Sequence, residues 1–263
     1  MTVRIEKSGS VWTMIHDRPE ARNAMDPASA DALTAAFLEF DADKSAAVAV
    51  FYGAGGAFCA GWDLKYVSTL KGEHTLAELD IPVAGPRGNG GEIPRGPLGP
   101  SRLELDKPVI AAIEGPAVAG GMELGLWCDF RVMAKDSYFG VYCRRWGVPL
   151  IDGGTVRLPR IVGQGRALEI ILTGRKVPAE ECLTIGLCEY VTPKGGARAK
   201  AEELAHEIAR FPQVCVRADR RSAIRSHGLS VRDALIQEWY NGRDALIKDG
   251  VAGASRFKDG MGR

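Results

Sequence analysis

Short apolar runs that close on glycine turns recur along this chain with helically spaced segments between them, and this alternation limits the fold most. Residues 47–52 run into Gly53-Ala54-Gly55-Gly56, and residues 109–113 close in Glu114-Gly115-Pro116. Runs this short, bounded by turn residues, read as buried strands. Residues 130–134 form another. Residues 3–5 and 11–15, with Ser8-Gly9-Ser10 between them, read as a β-hairpin. Asp26-Pro27 supplies an N-cap and a first-turn proline. Leu33, Phe37 and Phe40 follow at helical spacing, which predicts a helix to about Asp41. Another helix begins near Gly120. Strands alternating with helices predict α/β layering.

Two stretches depart from the pattern. Residues 71–100 are rich in glycine and proline, a loop long enough to be functional or mobile. Beyond Pro193 the chain turns helical, over 197–209, 214–226 and 230–248, the last opened by a capping Ser230 and Asp233. This divides the chain into a core at 1–195 and a helical region at 196–263.

The totals exclude several classes. The 263 residues suit one large core, and a formal charge of +1 gives no reason to expect a nucleic-acid partner. No apolar run approaches the roughly 18 residues of a membrane helix, and the first ten residues do not resemble a secretory signal. Six cysteines occur singly, without C-x-x-C spacing, so zinc is not expected and reduced thiols in a cytoplasmic protein are.

The chemistry concentrates in two glycine turns. Ala60-Gly61, after a buried strand, allows a ligand close to the backbone. Gly120-Gly121 opens a helix whose first N–H groups lack internal partners and sit at the positive end of the dipole. Two such N–H groups converging on one carbonyl oxygen would form an oxyanion hole. Neither turn has the spacing of a dinucleotide fingerprint or a phosphate loop.

Together the turns carry a resemblance. Ala57-Phe58-Cys59-Ala60-Gly61-Trp62-Asp63-Leu64 and the stretch from Lys107-Pro108-Val109 through Gly120-Gly121-Met122-Glu123-Leu124 resemble the two signatures of the crotonase (enoyl-CoA hydratase/isomerase) superfamily. Arg18-Pro19-Glu20-Ala21-Arg22-Asn23, Phe139-Gly140, Arg157-Leu158-Pro159-Arg160 and Leu172-Thr173-Gly174 continue it in order. The resemblance implies a crotonase-like spiral of ββα units with a C-terminal helical trimerisation region, assembled as a homotrimer or hexamer. It implies oxyanion donors at the N–H groups of Ala60 and Gly120. It places acyl-CoA contacts at Arg18, Ala21, Arg22, Ala60, Trp62, Asp63, Leu64 and Gly120, with looser matches at Phe257 and Lys258. Coenzyme A would enter as part of the substrate, and no metal or other cofactor is implied. The loop at 71–100 corresponds to the region that shapes the acyl pocket.

Glu123 lies about one helical turn after Gly120, on the same side, in an apolar stretch that would raise its pKa. It reads either as a general acid/base or as a charge paired with the helix dipole. Hydratases of the family place a second glutamate where this chain has Cys143. A neutral thiol cannot activate water as a carboxylate does, which shifts the expected reaction from two-glutamate hydration towards isomerisation or another one-carboxylate chemistry. Asp152 is either a compensating acid or a turn residue before Gly153-Gly154. A nucleophilic Cys143, activated by Arg144 and Arg145, would need a base, and none of His16, His74, His206 or His227 lies in a suitable motif. Strand alternation would send Arg144 and Arg145 to opposite faces, one of them towards the cleft. The leading reading is an enoyl-CoA hydratase or isomerase working through a thioester enolate. The alternatives are a thioester or β-diketone hydrolase using Asp152, and a non-catalytic acyl-CoA-binding relative.

Overall fold

A computed structural model describes residues 2–81 and 94–260. β1 (Val3–Ser8) and β2 (Val11–His16) form the expected hairpin, with Gly9 at φ +60° in the turn. α1 (Pro27–Ala42) begins where the Asp26 carboxylate accepts the Ser29 N–H at 2.8 Å. It buries Leu33, Phe37 and Phe40, and the Phe37 ring meets Phe51 and Trp127 edge-on at 5.5 and 4.9 Å.

The remaining strands are β3 (Val48–Gly53), β4 (Val109–Ile113), β5 (Pro116–Val118), β6 (Phe130–Ala134), β7 (Tyr138–Gly140), β8 (Lys176–Pro178) and β9 (Tyr190–Thr192). A six-stranded sheet runs β1-β2-β3-β4-β6-β9, parallel after the first pair, and a three-stranded sheet runs β5-β7-β8. Parallel neighbours need crossovers, and α2 (Leu64–Val67), α3 (Gly120–Trp127), α4 (Gly154–Val162), α5 (Gln164–Thr173) and α6 (Ala179–Thr184) lie in those connections. β4 lies in the large sheet, β5 in the small one, and α3 follows; β6, β7 and α4 repeat the order. Cys59, after β3, bridges Ala117 of β5 in parallel, so the first repeat is shorter but has the same plan. This is the spiral of strand-strand-helix units.

From 197 to 260 the described chain is helical apart from short connections: α7 (Ala197–Ala209), α8 (Gln213–Arg225), α9 (Val231–Ala245) and α10 (Val251–Lys258). A break at 195 nevertheless misplaces α7. Its Ala197, Ala201, Leu204 and Ala205 pack on Val48, Val50, Ile110 and Val132 of the large sheet. The buried Glu114 carboxylate accepts the N–H groups of Gly195 and Ala197 at 3.0 and 2.9 Å, fixing where α7 begins. α8 is held to the core by Arg220, which donates to Asp129 and to the Leu105 carbonyl, while α9 and α10 leave Trp239, Tyr240 and Val251 exposed.

Cys59, Cys128, Cys143, Cys182 and Cys188 are buried free thiols and Cys215 is exposed, matching the expectation of unpaired cysteines. Within the long loop, residues 82–93 lie outside the described residues. The flanking parts hold a 3₁₀ helix at Glu73–Leu79 and a tight turn in which Gly96 and Gly99 bridge.

Candidate active site

The two glycine turns meet. A Cβ on Gly61 would lie 2.9 Å from the Ala119 Cβ and 3.0 Å from the Gly120 nitrogen, and one on Gly121 only 2.0 Å from the Cys59 carbonyl oxygen. Side chains are therefore excluded where the segments cross. Ala119 holds φ +54° and ψ −123°, uncommon for a residue with a Cβ, and so turns the chain sharply into α3. At the mouth of that helix the Gly120 N–H has no partner among the described residues.

The other N–H expected to be a donor, that of Ala60, is engaged within the protein. The Ala60 N–H donates to the Arg22 carbonyl at 3.0 Å and is already occupied. Two bonds to Met25 flank Trp62: the Met25 N–H donates to the Gly61 carbonyl, and the Asp63 N–H to the Met25 carbonyl, both at 2.8 Å. Alternation of an extended backbone turns the intervening Trp62 N–H the opposite way, where it meets no protein acceptor among the described residues. Ala60 contributes to the cavity wall, as do Trp62 and Gly120, whose N–H groups have no partner among the described residues.

The cavity beside these groups measures ≈ 80 Å³ and is walled by Leu98, Gly120, Glu123, Cys143 and Asp152, with Trp62, Tyr142 and Trp146 supplying aromatic surface. Glu123 is 2% exposed, and its Oε1 accepts the N–H groups of Asp152 at 3.0 Å and Gly154 at 2.8 Å. Burial, reinforced by the nearby Asp152 charge, raises the Glu123 pKa to about 7. The two backbone bonds oppose that shift without cancelling it. A carboxyl poised there can both take and return a proton near neutrality.

Asp152 does not serve as a simple turn cap. Its Oδ1 accepts the Leu98 N–H at 3.1 Å and the Ser101 hydroxyl, while its Oδ2 is buried with no partner among the described residues. Burial raises its pKa as well. Cys143 reaches the cavity, but burial and the Glu123 charge push its pKa up, so the neighbouring arginines do not make it a thiolate. Arg144 and Arg145 are not on a strand. Residues Tyr142–Trp146 form a 3₁₀ turn, where positions three apart share a face. The Arg145 guanidinium sits 4.1 Å from the Tyr142 ring centre, and Arg144 donates to the Ile171 carbonyl at 3.2 Å. Neither side chain lines the cavity.

The sequence profile of the enoyl-CoA hydratase/isomerase family matches residues 6–79 and 101–238. The chain belongs to that family. It is 34% identical to an enoyl-CoA hydratase, EchA19, of Mycobacterium tuberculosis, over 83% of this chain and 78% of the relative. It is also 34% identical to a carnitinyl-CoA dehydratase of Salmonella typhi, over 82% and 78%. Among solved structures, enoyl-CoA hydratase EchA1 of Mycobacterium marinum superposes with a TM-score of 0.86 at 32% identity, covering 98% of this chain and 96% of that one. The fold is the crotonase fold.

Of the acyl-CoA contacts that family membership suggests, Ala60, Trp62, Leu64 and Gly120 wall the cavity. Arg18 and Asp63 are engaged with each other at 2.7 Å, and Asp63 also caps α2 by accepting the Lys65 N–H. Ala21 and Arg22 lie in the turn after Arg18, where the Arg22 carbonyl takes the Ala60 N–H. Phe257 and Lys258 end α10, are exposed and do not line the cavity. Sequence reasoning missed Leu98, whose side chain would be 2.7 Å from a Cβ on Gly120. It also missed Tyr142 and Trp146, whose aromatic character beside Cys143 was the one available signal.

Proposed function

We propose that this member of an acyl-CoA-processing family stabilises a thioester enolate, with the Trp62 and Gly120 N–H groups as oxyanion donors and Glu123 as the proton carrier. The observation that carries this is a set of unengaged N–H groups beside a buried carboxyl poised near pH 7. The thioester oxygen would lie at the two donors, which turn charge onto it as the α carbon loses or gains a proton at Glu123. The relatives' names, hydratase and dehydratase, support reactions that make or use an α,β double bond. With Cys143 neutral, migration of a double bond by one proton carrier is the chemistry that needs least. Coenzyme A enters as part of the substrate and no further cofactor is invoked. Arg18, Ala21 and Arg22 remain proposed contacts for its distal part. The exposed aromatic and aliphatic residues of α9 and α10 supply the surface on which a trimer, or a hexamer built from two, would close. Light scattering should then return a multiple of three chains.

The test is exchange of the α protons of butyryl-CoA in D₂O, run beside hydration of crotonyl-CoA and isomerisation of 3-hexenoyl-CoA. Exchange by the wild type and its loss in Glu123→Gln support the reading. Tight acyl-CoA binding with no exchange and no turnover of either enoyl-CoA would sink it in favour of a non-catalytic binder. Steady release of free CoA from butyryl-CoA would instead support hydrolysis, for which the unpartnered Asp152 Oδ2 is the specific motive.

A further inference from the structure

The Glu123 carboxyl is gripped by a turn, and the turn is gripped from behind. Its two donors to Oε1, the N–H groups of Asp152 and Gly154, belong to peptides on either side of the Asp152–Gly153 peptide. That middle peptide faces away from Glu123, and its carbonyl accepts Nη1 of Arg157 at 2.9 Å. The same guanidinium gives Nη2 to the Ser101 carbonyl at 2.8 Å, tying the turn to the segment that holds the Asp152 side chain. Gly153 has φ +100° and ψ 5°, the dihedrals of the third residue of a type II turn. A type II turn differs from type I chiefly by rotation of its central peptide. Rotating that peptide here would change the dihedrals that align its neighbours and swing a carbonyl oxygen towards a carboxylate.

Both glycines are needed for this arrangement. A Cβ on Gly153 would lie 2.1 Å from Arg157 Nη1, and one on Gly154 would lie 2.9 Å from Glu123 Cγ. The turn is thus flanked by the guanidinium and the glutamate, with no room for a side chain. A planar fork can hold two carbonyls at once, which an ammonium group does poorly.

We propose that Arg157 is the positioning residue for Glu123: by fixing the Asp152–Gly153 peptide from behind, it keeps both amide donors on the carboxyl in the geometry needed for proton transfer. The inference rests on Glu123 being the proton carrier, but its test does not require turnover. The charged and titratable groups acting on Glu123 are Asp152, Arg157 and the neighbouring Cys143 thiol. Removing the guanidinium withdraws a positive charge and loosens two hydrogen bonds, all of which lower the Glu123 pKa. Its midpoint must therefore rise above the wild-type value of about 7.

The experiment compares wild type, Arg157→Lys, Arg157→Gln and Arg157→Ala. Glu123 is titrated by carboxyl carbon NMR, and amide hydrogen exchange is followed at Asp152 and Gly154 with the α3 amides as reference. Arg157→Gln should raise the midpoint and speed exchange selectively at Asp152 and Gly154. Arg157→Lys keeps the charge but loses the fork, so it should speed exchange with a smaller shift of midpoint. A second cavity of ≈ 700 Å³ borders Arg157, so added guanidinium should reach Arg157→Ala and restore both readouts, whereas methylammonium should not. Where α-proton exchange is measurable, its kcat should fall up to about 10²-fold, with KM nearly unchanged, as expected for a displaced reacting group. An unmoved midpoint with uniform loss of protection across all amides, or rescue by either cation alike, would overturn the proposal. If no substrate turns over, the reading of Glu123 fails while the titration and exchange still decide the role of Arg157.

Discussion

Glu123 and Cys143 both line the cavity, and each follows a strand of the small sheet. Burial raises the pKa of both, yet the consequences are opposite. The carboxyl is brought up to about 7, where it can exchange a proton, while the ionisation of the thiol is pushed further above neutrality. One desolvated pocket therefore activates one side chain and silences the other, because the two groups start on different sides of neutrality.

The sharpest way to break this contrast is Glu123→Gln. α-Proton exchange should fall by about 10²–10⁴-fold, the usual contribution of a general acid/base, as followed by deuterium uptake into butyryl-CoA. The same variant reports on stability. Because the folded-state pKa is raised from 4.5 to about 7, the contribution of this group to stability is complete below pH 4.5 and is lost as pH rises through 7. By that linkage the wild type should lose about 3 kcal/mol that the glutamine variant keeps, measurable by urea melts at pH 4.5 and 8.

Next in size is the backbone. An amide-to-ester exchange at residue 62, made with the tryptophan hydroxy-acid analogue, should slow exchange by about 10²–10³-fold, the value of one oxyanion donor. The same exchange at residue 60 removes the bond to the Arg22 carbonyl, so it should lower Tm with far less effect on rate.

A smaller effect is expected at Asp152→Asn. The Asp152 charge raises the Glu123 pKa, so its removal should move the acidic limb of the pH–rate profile below 7. No shift would mean that Asp152 is already protonated at neutral pH. Cys143→Ser should change the rate least, within about twofold, because a buried neutral thiol is inert. Cys143→Glu sharpens the contrast: a gain in crotonyl-CoA hydration would identify the missing second acid as what limits that reaction.

Much of the framework was legible from local signals. The apolar runs at 47–52 and 109–113, the Asp26-Pro27 cap and the Ser230 cap each act over a few residues, and a strand or helix start lies within a residue of each. Glu123 was legible because one helical turn fixes its side of α3. The free N–H of Trp62 was not, because its freedom depends on Met25 engaging the residues on either side. Residues 142–146 misled strand reasoning. Gly140 ends the strand, and the turn that follows is shaped by packing against residues near 171–175 that no local pattern reveals. The grip of Arg157 joins Ser101 and Asp152 across more than 50 positions, so it could appear only once the chain had folded.

The burial of five cysteines leaves the molecule with a single chemical handle. Cys215 is exposed on α8, away from the cavity wall, and a maleimide dye should attach there without mutagenesis. Differently coloured preparations, once mixed, would then report by energy transfer whether chains associate, while leaving every thiol near the cavity in place.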